Sequence, residues 1–426
     1  MDARYAGPAG RAGGIAPATA IALIAALCAI HTCSQFLRTS IGVIAPDLAR
    51  EIGLTAAGIG LLSSSFFFSF AAIQVPLGVA IDRFGPRLVL LVSTGIAVAG
   101  TIVFATARAP EIMVLGRVLT GIGCASFFIA PLTIYSRWFP PERFSTIVGI
   151  QLGLSALGML AATAPLAYAT AAFGWRPSFL AVAGLTAVFG LIAYVIVRDY
   201  PPGVVPPRRH ETLMETIRGL AVVARTPSVL RLFAMHFSGF SVLVTMLGLW
   251  GGPYLAHVYG YDLGSRGELL FVLATANVLA NFVWGPADRI FRSYKRPVIG
   301  GALVTMGLLA WIAWVGKLEG WTLVAWFVAF GISTAYTPVL TAHGRSLFPP
   351  ELVGRGLTLL NLGTMSGVFV LQFVTGFVVD LFPAKDGVYP VEAYRTVFAL
   401  LALELAGATL IYLRSRDPTY EQAKAA

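Results

Sequence analysis

Charge is what this 426-residue sequence lacks: only 12% of it is Asp, Glu, Lys or Arg, against about 25% in an ordinary soluble domain. Apolar residues make up 57% and the mean hydropathy is +0.79, which excludes a water-soluble globule and intrinsic disorder. Cysteine is scarce too. Cys28, Cys33 and Cys124 all fall in apolar stretches, which excludes a disulfide scaffold and reads as three membrane-buried thiols. No G-x-x-x-x-G-K-[ST] loop is present, which argues against a nucleotide-driven pump, and no H-E-x-x-H or similar constellation points to an enzyme. The formal charge of +10 comes from Lys and Arg scattered among apolar segments rather than clustered on a solvated face, so no nucleic-acid partner is expected.

What the sequence has is apolar length. Runs bounded by Pro, Gly or charge fall at 17–45, 55–80, 87–107, 110–136, 143–172, 176–197, 228–258, 264–287, 296–316, 320–344, 354–382 and 393–413. Each is long enough for a bilayer core about 30 Å thick, which takes about 20 residues of helix. This predicts an all-α membrane protein of twelve transmembrane helices. The one long polar connection, 199–227, carries Pro201, Pro202, Pro206, Pro207, Arg208, Arg209 and His210 and divides the spans six and six. The expected organisation is a tail 1–16, a six-helix bundle 17–198, a linker 199–227, a second bundle 228–414 and a tail 415–426. The first span reads as an uncleaved helix. Of the 30 basic residues, 21 lie on the side holding both tails and the linker and 7 on the other, so both termini are expected in the cytoplasm. Arg38 and Arg117 lie within spans.

The two halves repeat each other. Pro46-Asp47-Leu48-Ala49 with Gly53 returns as Pro253-Tyr254-Leu255-Ala256 with Gly260, 207 residues on, and Pro131 meets Pro338 at the same offset. Phe139-Pro140-Pro141-Glu142 returns as Phe348-Pro349-Pro350-Glu351, and Ile81-Asp82-Arg83 as Ala287-Asp288-Arg289. Four matches in the same order mark a tandem duplication.

With these repeats the chain resembles the major facilitator superfamily. Gly78-Val-Ala-Ile-Asp82-Arg83-Phe-Gly85-Pro-Arg87 is similar to that family's signature between helices 2 and 3, Gly285-Pro-Ala-Asp288-Arg289 to a reduced copy between helices 8 and 9, and Arg117-Val-Leu-Thr-Gly121-Ile-Gly123 to its helix 4 motif. The resemblance implies two six-helix halves about an axis along the membrane normal, a substrate site between them at the midplane, and alternating access. It also assigns Gly78, Asp82, Arg83, Gly85, Arg87, Asp288 and Arg289 to gating. Physically, Asp82 at a helix end can accept charge-assisted hydrogen bonds from arginines and from helix N-termini.

Ionisable groups inside spans are functional candidates by default. His31, Gln35 and Arg38 recur at i, i+4 and i+7, a polar stripe on one face of helix 1. An arginine keeps its charge, and its planar fork fits carboxylate or phosphate, so a cavity-facing Arg38 selects anions. Arg38 also stands eight residues before Pro46, as in helix 1 of the organophosphate antiporters and sugar-acid symporters, where the resemblance gives it an anionic substrate. Helix 7 departs from the organophosphate pattern, with Thr245 at the repeat position of Arg38, which points away from a doubly charged phosphate ester. Further candidates for substrate contact are His236 and Trp250, with Tyr254 beside them, and Tyr135, Asn277, Asn281, Tyr336, Asn361 and Gln372. Arg117, by its motif, and Glu404, an acid near the middle of a span, are the candidates for proton coupling.

The expected function is therefore a secondary transporter in a bacterial inner membrane. It would move a small organic anion or zwitterion (a carboxylate, amino acid or dipeptide-like solute) with protons, as a monomer in the lipid bilayer and without a cofactor or metal. Two alternatives stay open. A copper importer would draw on Cys28, His31, Cys33, Met235, His236 and Met246 as ligands. A drug/proton antiporter fits less well, because Gly158 to Pro165 lacks that group's Gly-Pro pair.

Overall fold

Hydrocarbon offers the backbone no hydrogen-bond partner, so a segment that crosses it must satisfy its own N–H and C=O groups, and a helix does so within itself. A computed structural model describes residues 17–201, 213–225, 227–348 and 353–417. Among them the chain forms twelve apolar helices long enough to cross a membrane. They are α1 (Pro17–Thr39), α2 (Ala56–Phe84), α3 (Pro86–Thr106), α4 (Pro110–Trp138), α5 (Glu142–Phe173), α6 (Trp175–Ile196), α7 (Val229–Tyr259), α8 (Leu263–Trp284), α9 (Lys295–Val315), α10 (Trp321–Leu347), α11 (Gly354–Asp380) and α12 (Val391–Tyr412). The only β pairing among the described residues is the bridge between Lys385 and Val388. Large apolar side chains such as Trp314, Leu381 and Phe173 stand exposed, as a lipid-facing surface requires.

Some helix ends differ from the apolar windows. After a one-residue interruption at Ser40, α1 continues as Ile41–Ile52, past the window's end at 45, and stops where Gly53 takes φ 75°. Its repeat partner α7 holds a π-helical turn, Met246–Trp250, and stops where Gly260 takes φ 69°. Pro46 and Pro253 do not end these helices, because neighbouring helices bury the turns they loosen. Helix α2 runs to Phe84, so Asp82 and Arg83 lie in its last turn.

The pairing within each half follows the duplication. Helix α1 packs on α5 and α6, as α7 packs on α11 and α12; α2 packs on α4 as α8 packs on α10. A side chain on Gly158 would strike the Thr32 carbonyl, and one on Gly367 would strike that of Phe237, so repeat-related glycines let each half's first and fifth helices touch backbones.

Between the halves, α2 meets α11, α5 meets α8, and the far parts of α1 and α7 cross. The end carrying Pro17, Asp417 and the linker helix Leu213–Ala224 is called the near end. Polar contacts between the halves gather at the opposite, far end. Arg266 donates to Asp47 at 2.9 Å, Tyr168 donates to Glu268, and the Ala56 N–H donates to the Tyr389 hydroxyl at 3.0 Å. Gly42 and Gly252 sit so close there that a Cβ on either would strike the other helix's carbonyls. At the near end, polar contacts join parts of one half. Arg87 N–H donates to Asp199 at 2.7 Å, the Trp138 indole to the Arg198 carbonyl at 2.9 Å, and Lys295 to the Leu413 carbonyl at 2.7 Å. The halves are closed on each other at the far end.

Candidate functional site

The predicted stripe of α1 is built as follows. Arg38 is 8% exposed, and its guanidinium carbon lies 5.0 Å from the centre of the Phe70 ring on α2. Arg117 of α4 is 1% exposed, lies 4.8 Å from the Phe66 ring, and donates to the Leu37 carbonyl at 2.7 Å. The helix 4 arginine thus braces the peptide immediately before Arg38. Phe66 and Phe70 stack with centres 6.0 Å apart, so two guanidinium groups stand over one aromatic pair. Arg38 Nε, Arg117 Nε and Nη2 and Gln35 Oε1 are buried without a hydrogen-bond partner. Buried polar groups are usually hydrogen-bonded, so unpartnered ones gathered in one place call for an explanation beyond packing.

About two turns from Arg38 toward the near end, the Gln151 amide of α5 donates to His31 Nδ1 at 3.4 Å. In the second half His236 of α7 lies beside Thr364 of α11, also at 3.4 Å. His31 and His236 each lie where their half's first helix meets its fifth.

Other predicted site residues are drawn into the body of a half. The Trp250 indole donates to Thr375 at 2.7 Å, the Tyr254 hydroxyl donates to the Gly316 carbonyl at 2.9 Å, and both side chains are buried within the second half. Asn277 joins α8 to α10 through the Gly331 carbonyl at 3.0 Å, and Asn281 donates back to Asn277. Tyr135 and Tyr336 are fully buried, Tyr336 with an unpartnered hydroxyl and packed against Gly239 and Gly301 within its own half. Gln372 donates to the Val244 carbonyl at 3.3 Å. Asn361 is half-buried on α11. Glu404 of α12 accepts from Ser238 of α7, and its second oxygen is buried without a partner.

Of the gating motif, Gly85 takes φ 83° and turns the chain into α3; Asp82 and Arg83 are exposed, Arg83 lying 5.5 Å from the Phe84 ring. Asp288 and Arg289 occupy one short turn, Ala287–Phe291. Sequence reasoning missed the acid that caps the helix beside this motif. Asp199, just after α6, takes the Arg87 N–H and lies against Gly85, while Arg87 Nε donates to the Tyr194 carbonyl at 2.9 Å. Asp417, just after α12, does the same for α9, accepting from the Tyr294 and Lys295 N–H groups at 3.4 and 3.3 Å. Their position after the last helix of each half was the available signal. Arg266, counted only toward topology, turns out to be the buried partner of Asp47.

Models of the Major Facilitator Superfamily match residues 27–276 and 252–426, nearly the whole chain. The chain belongs to the Major Facilitator Superfamily. It is a multi-pass membrane transporter, and its relatives are transporters rather than enzymes. It is 24% identical over 314 residues to the probable sulfoacetate transporter SauU of Cupriavidus necator, covering 70% of this chain and 71% of that one. It is 26% identical over 400 residues to the probable nitrate/nitrite transporter NarK2 of Mycobacterium tuberculosis, covering 90% and 93%. In fold it is similar to a bacterial homologue of the human lysosomal transporter Spinster, solved inward-facing and occupied, with a TM-score of 0.77, 18% identity and coverage of 94% and 97%. Among the described residues no group of three or more His, Cys, Asp and Glu side chains could hold a metal ion.

Proposed function

We propose that this transporter carries small organic anions across a bacterial cytoplasmic membrane by alternating access, with Arg38 as the residue that binds the anion. The observation that carries this reading is a guanidinium buried on α1, over an aromatic ring and without a carboxylate partner among the described residues. Such a group is expensive in a membrane interior unless an anion visits it. The likeness to transporters named for sulfoacetate and for nitrate supports the same choice.

In this proposal the near end and both termini face the cytoplasm, in keeping with the bias of basic residues, and the far-end closure makes the conformation inward-facing. The monomer is the working unit. Gln35 and His31 line the solute's path beside Arg38, and the Asp82 motif sets the balance between the two faces. Protons drive uptake, and Glu404 is the exchanging acid through the carboxylate oxygen that Ser238 does not occupy.

Thermal-shift screening of the purified protein against sulfoacetate, tartrate, nitrate, galacturonate, glycine, glucose and copper tests the reading. A ligand that binds the native state raises the unfolding temperature by mass action. Stabilisation by organic anions, lost in Arg38→Ala, is expected. Stabilisation by glucose or copper alone would contradict it. Uptake into proteoliposomes with and without a proton gradient tests the coupling.

A further inference from the structure

Charge balance around Arg38 says more about the solute than that it is an anion. Two cations are buried together here, from different helices. Arg38 of α1 and Arg117 of α4 stand over the adjoining Phe70 and Phe66 rings, 8% and 1% exposed. Arg117 uses one N–H on the Leu37 carbonyl, which ties it to the peptide before Arg38, and keeps Nε and Nη2 without partners; Arg38 Nε has none either. Neither guanidinium is paired with a carboxylate among the described residues. The ion pairs Arg50–Asp47, Arg176–Glu51 and Arg266–Asp47 belong to the far end, and Glu404 lies in the second half against Ser238. The ring faces return only part of the hydration two buried cations give up. A singly charged solute would leave one positive charge uncompensated each time the site closed.

We propose that Arg38 and Arg117 together form a site for a small organic dianion, a dicarboxylate or a sulfonate-carboxylate, whose two acidic groups balance the two guanidinium groups. This rests on the anion reading above and narrows it. The absence of a second arginine from helix 7, where Thr245 stands, argued against a doubly charged solute; the second arginine comes instead from α4. Arg117 then has two tasks, holding the peptide before Arg38 through Nη1 and presenting its remaining N–H groups to the solute.

The test uses pairs of probes of nearly one shape and different charge: succinate with succinamate, and sulfoacetate with its carboxamide, titrated calorimetrically at pH 7.5 into the purified full-length protein. One unit charge a few ångströms away in a partly dehydrated site changes affinity by more than about tenfold, so each dianion should bind at least about tenfold tighter than its amide. Arg117→Gln, which keeps a donor for the Leu37 carbonyl, should bring the dianion down to its amide's affinity and leave the amide within about threefold. Arg117→Lys should keep the preference for the dianion. Equal affinity of dianion and amide for the unmodified protein would overturn the proposal while leaving the anion reading intact. Binding of the uncharged diamide succinamide with no binding of any acid would overturn both.

Discussion

If the far-end contacts hold this conformation, removing one charge from them should open that end by a calculable amount. Asp47→Asn is the perturbation. Its carboxylate lies 2.9 Å from Arg266, whose side chain is 4% exposed while that of Asp47 is 27% exposed. At an effective dielectric constant of about 20, unit charges about 4 Å apart attract by about 4 kcal/mol. Breaking a fully buried pair costs about 3 to 5 kcal/mol, because the remaining charge is left without its partner. Water already reaches Asp47, so about half of that, roughly 2 kcal/mol, is the reasonable figure. That changes the ratio of far-closed to far-open molecules by roughly thirtyfold. Spin labels at Phe173→Cys and Glu319→Cys, exposed positions at the far ends of opposite halves, read the opening as an interlabel distance once the three buried native cysteines are replaced by alanine. The longer-distance population should be minor with Asp47 and dominant in Asp47→Asn. Superimposable distance distributions would refute the reasoning and reduce the ion pair to a bystander.

Three further outcomes follow from other parts of the molecule. Asp82→Asn should keep folding intact but slow uptake into proteoliposomes at equal reconstituted amounts, with Arg83→Ala weaker in the same direction; normal kinetics in both would remove the motif from gating. Gly367→Ala should lower stability by about 1 to 3 kcal/mol in chemical denaturation, because its methyl group would meet the Phe237 carbonyl where α11 and α7 touch. Burial, with Asp380 beside it, pushes the Tyr389 phenol up to about 12. The protonated hydroxyl donates to Asp380 at 2.6 Å and accepts from Ala56. A pKa raised above the unfolded value of about 10 gives stability that is complete below that pH and lost as pH rises through about 12. Tyr389→Phe should therefore unfold at lower temperature near neutral pH and lose less stability than the unmodified protein between pH 10 and 12; parallel profiles would rule out the contact.

The twelve spans were legible because lipid imposes a length and a polarity on every crossing helix, and the fold was legible because Pro46 and Gly53 recur as Pro253 and Gly260. The stripe of His31, Gln35 and Arg38 was legible for a related reason: few polar groups stand in these spans, so each is conspicuous. What sequence could not deliver was pairing. Nothing in the chain says that Arg117 reaches the Leu37 carbonyl or that Arg266 reaches Asp47, since both contacts join helices far apart in sequence. The roles of Trp250 and Asn277 could not be told from sequence, because an aromatic or amide group that bonds a neighbouring helix looks there the same as one that faces a cavity. The asymmetry of the site was hidden for the same reason. Repeat logic sought a second arginine opposite Arg38 on helix 7, whereas packing brings it from α4 within the same half.

The most direct test of the account is the affinity of one anion for Arg38 variants. With the tightest-binding acid of the thermal-shift panel, calorimetry on the purified protein should show Arg38→Ala binding weakened by about 2 to 5 kcal/mol, more than tenfold, because the anion loses its partner in a partly dehydrated site. Arg38→Lys should recover only part of that, since an ammonium keeps the charge and loses the planar fork. An unchanged dissociation constant in Arg38→Ala would contradict the claim that this arginine selects the solute.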